Sequence, residues 1–166
     1  MHGDIAKVEA LLNGTTQVDV NWWGGTTALV TAADFHQVEI ARLLLQKDAD
    51  LNLANEEGLS PLLSAAHSGN VEMVRLLLNA GANPNTSETR HGFSPLTFAA
   101  AKGYTEIVKS LLDAGADRSA KVKDGRDAAG LAWHSRHMET LRVLTTYMSR
   151  TLRQTQLTDL RNSIES

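Results

Sequence analysis

The sequence predicts an all-α solenoid of stacked helical hairpins, and three observations predict it. Four glycines, Gly25, Gly58, Gly92 and Gly125, recur at intervals of 33, 34 and 33 residues, a periodicity that marks a repeat architecture. Between successive glycines lie short stretches such as "VEMVRLLL", whose apolar residues follow the i, i+3, i+4 spacing of a helix. Proline (3 residues) and aromatic residues (5%) are sparse in the 166-residue chain, which favours helices packed through Leu, Ala and Val over an aromatic-rich β-sandwich.

The units follow in order. Residues 1–21 form a half cap: "GDIAKVEALLNG" has the phase of a second helix, because Gly3 stands 33 residues before His36, and it lacks a first helix. Repeats span about 22–54, 55–87 and 88–121, and the segments 58–85 and 92–119 align without a gap. In these two, Ser60 and Ser94 are expected to cap a first helix that opens with Pro61 or Pro95, where proline's missing N–H costs nothing. Ala65, Ala66, Ala99 and Ala100 put small residues on one face, so that a neighbouring helix can come close. Gly69 and Gly103 then break the chain before a second helix, and Gly81 and Gly115 end that helix in left-handed geometry. The first repeat has Asp48 in place of the last of these glycines. Aspartate tolerates that geometry less readily, so its joint is expected to be the weakest inner one. Residues 122–144 form a degenerate cap that loses the Leu-Leu-Leu run, and 145–166 a helical extension. Leu141, Leu144, Met148 and Leu152 keep one helical stripe, and Leu157, Leu160 and Ile164 begin another after a break in phase. Such a hairpin cannot bury both of its faces alone, so stability has to come from stacking.

The segment "SPLLSAAHSGNVEMVRLLLNAGANPN" resembles the ankyrin repeat, whose pattern runs Gly-x-Thr-Pro-Leu-His-x-Ala-Ala, then Gly-x-x-Glu-x-Val-x-Leu-Leu-Leu, then Gly-Ala-Asp-x-Asn. The resemblance covers roughly residues 3–144. The family's first-helix histidine is replaced by Val30, Leu63, Thr97 and Gly130, which puts its usual loop hydrogen bonds in doubt, and proline gives way to Ala28 and Ala128 in the first and last full copies. The resemblance implies a non-catalytic module that binds another protein, a folded domain or a peptide, through an inner groove of finger tips and first-helix surfaces. Carried onto this chain, the finger positions are Trp22, Trp23, Glu56, Glu57, Leu59, Arg90, Phe93 and Arg126, and the first-helix positions Asp34, Phe35, His67 and Lys102. Along the groove these give apolar anchors at Trp23, Phe35, Leu59 and Phe93, flanked by acid early and base late. Two other roles fit the same pattern, a structural segment of a longer array and an inhibitory subunit that occludes an enzyme. In "LQKDADLN", Asn52 resembles the asparagine that hydroxylases modify in ankyrin repeats; a purely structural loop asparagine is the alternative.

Trp22 and Trp23 stand beside Gly24 and Gly25, and two of the three tryptophans in the chain are unusual content for a polar turn. Either they fold over the truncated amino-terminal unit, or Trp23 at a finger tip enters a pocket on a partner. Phe35, Leu59 and Phe93 carry the same choice between packing and recognition.

No constellation for catalysis survives inspection. His134 and His137 stand three apart near Glu139, but no third ligand has matching spacing. "GDIAKVEALLNG" lacks the Gly-Lys-Ser/Thr of a phosphate loop, and Glu56 and Glu57 are loop neighbours rather than carboxylates across a cleft. Neither a metal nor a cofactor is expected. The net charge of -3 is unevenly spread, with 4 basic and 10 acidic residues over 1–87 and 12 and 9 over 88–166. Such a dipole suits a partner of mixed charge better than nucleic acid. The absence of cysteine rules out disulfides and thiolate metal sites. No apolar run approaches a membrane span, and Asp4, Lys7 and Glu9 interrupt any signal peptide. The expectation is a cytoplasmic or nuclear monomer, unless the open amino-terminal end pairs.

Overall fold

Each hairpin begins where a side chain satisfies one of the free N–H groups of a helical first turn. In the computed structural model, which describes residues 18–19 and 23–147, Thr27, Ser60, Ser94 and Asp127 accept from the N–H groups of Val30, Leu63, Thr97 and Gly130. The helices they start are paired with second helices: α1 (Ala28–Asp34) with α2 (Val38–Gln46), α3 (Pro61–Ser68) with α4 (Val71–Asn79), and α5 (Pro95–Lys102) with α6 (Thr105–Asp113). The last pair is α7 (Ala128–His134) and α8, helical over 138–147. The described residues contain no strand, as an all-α solenoid requires. Pro61 and Pro95 stand at the first helical position, as expected. The helix α8 runs uninterrupted from the cap into the first residues of the extension, whose second stripe lies outside the described residues. Of the half cap, only Val18 and Asp19 are described.

Stacking works because the facing residues are small. Ala33, Ala65, Ala66, Ala99, Ala100 and Ala132 are fully buried between first helices, and Met73, Val74, Leu77, Ile107, Val108 and Leu111 fill the layer under the second helices. Where the pattern's histidine is missing, Thr97 supplies a substitute. Its hydroxyl accepts from the Ser94 N–H at 2.7 Å while Ser94 caps Thr97 in return, a reciprocal capping box.

The break between helices has two requirements at once. Gly69 and Gly103 adopt left-handed φ values of 77° and 74°, and each lies directly beneath a ring of the next repeat. A Cβ at Gly69 would sit 2.9 Å from the Tyr104 ring, and one at Gly103 would sit 2.6 Å from the His137 ring. At the first joint the equivalent residue is His36, at φ 58°, and the residue above it in sequence register is Asn70, which turns in to cap Met73. Gly81 and Gly115 are left-handed as expected, and Asp48 is forced into the same region at φ 61°.

Two polar ladders and one charged stripe run along the stack. Backbone bonds Glu56 N–H to Gly24 O, Thr89 N–H to Glu57 O and Lys123 N–H to His91 O join successive fingers at 2.8 Å each. Below them, Asp19 accepts from the Asp50 N–H, Asn52 from Asn83 and Asn85 from Asp117. Asp19 lies 33 residues before Asn52, so this contact carries the repeat register into the half cap. On the second helices, Arg42 reaches Glu72 and Arg75 reaches Glu106 across adjacent repeats, both at 3.5 Å. Arg42–Glu39, Lys109–Glu106 and Arg142–Glu139 are paired within their helices.

Candidate functional site, the concave groove

First helices and finger turns together line one face, because every unit presents the last turn of its first helix beside its finger. Asp34, Phe35, Leu59 and His67, all singled out in the sequence, line a single open cavity of about 300 Å³ with Val30 and Thr31. Asp34 accepts from the Ser64 hydroxyl at 3.4 Å, and Phe35 stands out at 66% exposure. An exposure this large makes Phe35 an outward-facing side chain rather than a packing element between repeats.

His67 also joins a second group. Its ring meets Phe98 edge-on at 4.6 Å, Phe98 meets Phe93 at 5.4 Å, and Phe93 meets His91 at 6.3 Å. The Lys102 ammonium sits 5.8 Å from the Phe98 centroid, within cation–π range. His67, Phe93 and Lys102 are therefore brought together, and Phe98, which the sequence reading did not select, is the ring that joins them. The signal for it was present: Thr31 and Ser64 occupy the equivalent positions in the two preceding copies, so a half-buried phenylalanine at 98 is a departure toward aromatic content on the groove side.

The charged positions sit at the tips. Glu56 and Glu57 are exposed at the second finger and carry no ion pair among the described residues. Arg90 is exposed at the third finger, where its N–H and those of His91 and Phe93 are held by the Glu88 carboxylate. Partial desolvation pushes the Glu88 pKa up, but these three donors and the nearby His91 outweigh it, leaving the carboxyl below its usual range. Arg126, on the fourth finger, differs from the other charged tips. Its guanidinium is bound to Asp124 two residues away, and that hydrogen bond, ahead of the other causes, holds Asp124 low. Trp22 and the side chain of Trp23 lie outside the described residues.

Two of the remaining sequence candidates, Asn52 and His137, contact the next or preceding repeat. Asn52 is exposed, and its carboxamide oxygen accepts from Asn83 in the loop ladder. His134 ends α7 and His137 precedes α8, so the two do not share a helix. A turn at 135–136 separates them, and His137 packs over Gly103. Among the described residues no group of three or more His, Asp or Glu is placed to hold a metal ion, and no helix is long and apolar enough to cross a membrane.

A second exposed apolar residue went unnoticed in the sequence. Trp133 occupies the position of the fully buried Ala33, Ala66 and Ala100, yet it is 65% exposed because nothing stacks on α7 among the described residues.

Two family models match the chain, both described as ankyrin repeats: one of three copies over residues 48–122, and one of many copies over residues 11–62. No curated protein matches the sequence.

Proposed function

We propose that this chain, which belongs to the ankyrin repeat family, is a non-catalytic interaction module whose concave groove holds a segment of a partner protein. The observation that carries the reading is the row of apolar and aromatic side chains on one face: Phe35, Leu59 and His67 line one cavity, and the ring of His67 leads on to Phe98 and Phe93. Covering the exposed part of Phe35 alone would remove about 100–150 Å² from water, an upper bound of about 4 kcal/mol. The ladders between fingers and between loops hold these side chains at fixed spacing, so little ordering cost remains to be met on binding.

The alternative role as a link in a longer array is disfavoured at the carboxyl-terminal end. A further repeat stacked in the same register would set its first helix against Trp133, where every inner joint has alanine. An inhibitory role would use the same groove and differ only in what the partner does.

The test is peptide selection from a random displayed library on the wild-type protein. Selected peptides should bind at least about 10-fold more weakly to Phe35→Ala and to Phe93→Ala, and equally well to Arg75→Ala on the second-helix face. Because Phe35 is mostly exposed, its variant should unfold like the wild type. Selected peptides that respond to Arg75→Ala and ignore both phenylalanines would remove the proposal.

A further inference from the structure

The charges of this molecule are organised differently on its two faces. On the second helices, acid and base alternate and neutralise one another within and between repeats: Arg42 with Glu39 and Glu72, Arg75 and Lys109 with Glu106, Arg142 with Glu139. In the groove they are sorted instead. Asp34, Glu56 and Glu57 stand exposed at its amino-terminal part, and Arg90, Lys102 and Lys123 stand exposed toward its carboxyl-terminal part. None of these six forms an ion pair among the described residues; Lys123 donates to the Thr89 carbonyl and Lys102 rests over Phe98. Asp124 and Arg126 cancel each other; the Glu88 carboxylate, held by the N–H groups of its own turn, keeps its negative charge, so the basic part is three positives less one, a net of two, against three negatives in the acidic part.

We propose that the groove selects an extended peptide with sorted charge: basic residues at one end, an aromatic or large aliphatic residue in the middle, and acidic residues at the other end. This rests on the groove reading above and adds the chemistry of the partner to it. Neighbouring first helices stand about 8–10 Å apart, so Asp34 on α1 and Lys102 on α5 are separated by about 20 Å, or about six residues of extended chain, while Glu57 and Arg90 stand closer, on adjacent fingers joined by the Thr89 N–H to Glu57 O bond. The outer distance exceeds two Debye lengths at physiological salt, about 8 Å each, so the charges at the two ends of the groove act on a ligand separately. The cavity beside Phe35, which Asp34 also lines, and the rings of His67, Phe98 and Phe93, with Lys102 over Phe98, adjoin the inner edges of the two blocks and suit an uncharged, bulky side chain. A ligand with mixed charges in alternation places as many repulsive as attractive contacts over each block and gains nothing from the sorting.

Two fluorescent peptides of about eleven residues test this, with identical composition of lysine, glutamate and one central phenylalanine; one is sorted and one alternating. The full-length protein should bind the sorted peptide about 10-fold more tightly at low salt, with the preference collapsing toward equality at about 0.5 M salt, where screening shortens to about 4 Å. Glu56→Lys with Glu57→Lys should abolish the preference without changing the melting temperature, since both side chains are exposed and make no side-chain bond to another residue. Phe93→Ala should weaken both peptides alike. Equal binding of the two isomers, still weakened by Phe93→Ala, would overturn the sorted-charge proposal and leave the groove reading standing. Equal binding insensitive to Phe93→Ala, or no binding of either peptide, would overturn both for this class of ligand.

Discussion

Replacing Gly103 by alanine should destabilise the protein by about 2–4 kcal/mol, and the structure divides that cost into two separable parts. The first is conformational. At φ 74° an alanine enters the left-handed region at about 1–2 kcal/mol. The second is steric, because the new Cβ would lie 2.6 Å from His137 Nδ1 and 2.7 Å from its Cγ, distances at which the ring has to move. Overpacking costs about 1–3 kcal/mol, and the half-buried imidazole can tilt toward solvent, which favours the lower part of that range. Gly115 provides the comparison. It has φ 83°, yet nothing lies within 4 Å of its would-be Cβ, so Gly115→Ala should show the conformational part alone. Urea unfolding measures the difference as a shift in midpoint at constant slope. In a His137→Ala background, Gly103→Ala should fall to the cost of Gly115→Ala. Equal costs at the two glycines in the wild-type background would refute the claim that the ring of one repeat seats on the bare backbone of the repeat before it.

Thr97→Val keeps the shape of a fully buried side chain but removes the acceptor for the Ser94 N–H, and should cost about 1–3 kcal/mol by urea unfolding; a neutral result would mean that the hydroxyl is not what replaces the family's histidine. The depressed Glu88 carboxyl contributes stability that is complete above the ordinary glutamate pKa and lost as pH falls through its lower folded value. Glu88→Gln should therefore cost about 1 kcal/mol near neutral pH and flatten the acid limb of a melting-temperature profile; an unchanged limb would contradict the assignment of the three N–H donors to this carboxylate.

The fold was legible because its determinants are local and recur. Ser60–Pro61 and Ser94–Pro95 write a cap and a first helical residue side by side, the Ala-Ala pairs write close approach, and Gly81 and Gly115 write left-handed ends. The groove was legible only in part. Position within the repeat identified Phe35, Leu59, His67, Phe93 and Lys102, because the family pattern assigns a face to each position. It gave no means of knowing which of these side chains would touch. That depends on contacts across units, such as Phe98 wedged between His67 of one repeat and Phe93 of its own finger. The pairing of Arg126 with Asp124 was hidden for a related reason, since an exposed arginine reads the same in sequence whether or not its turn neighbour has captured it. Trp133 is the converse case: its position is a buried one in every other copy, and only the lack of a neighbour stacked on α7 among the described residues makes it exposed.

The single irregular interval, 34 residues between Gly58 and Gly92 against 33 on either side, has a physical reason that bears on recognition. In the second finger the turn closes from the Asn55 N–H to the Leu59 carbonyl, and the Asn55 carboxamide oxygen accepts from the N–H groups of Glu57 and Leu59. In the third finger the turn closes from Glu88 to Phe93, one residue longer, and the opening residue is a glutamate whose two carboxylate oxygens take three N–H groups, those of Arg90, His91 and Phe93. The extra methylene and the second oxygen let one side chain satisfy a turn that an asparagine is too short to span. The inserted residue thus adds no unsatisfied backbone donor at this point. What it adds is length at the centre of the groove, and that length carries Arg90 and His91 beside Phe93. The one insertion in an otherwise regular stack therefore falls where the acidic half of the groove gives way to the basic half, and the Glu88 carboxylate satisfies the longer turn as the Asn55 carboxamide satisfies the shorter one.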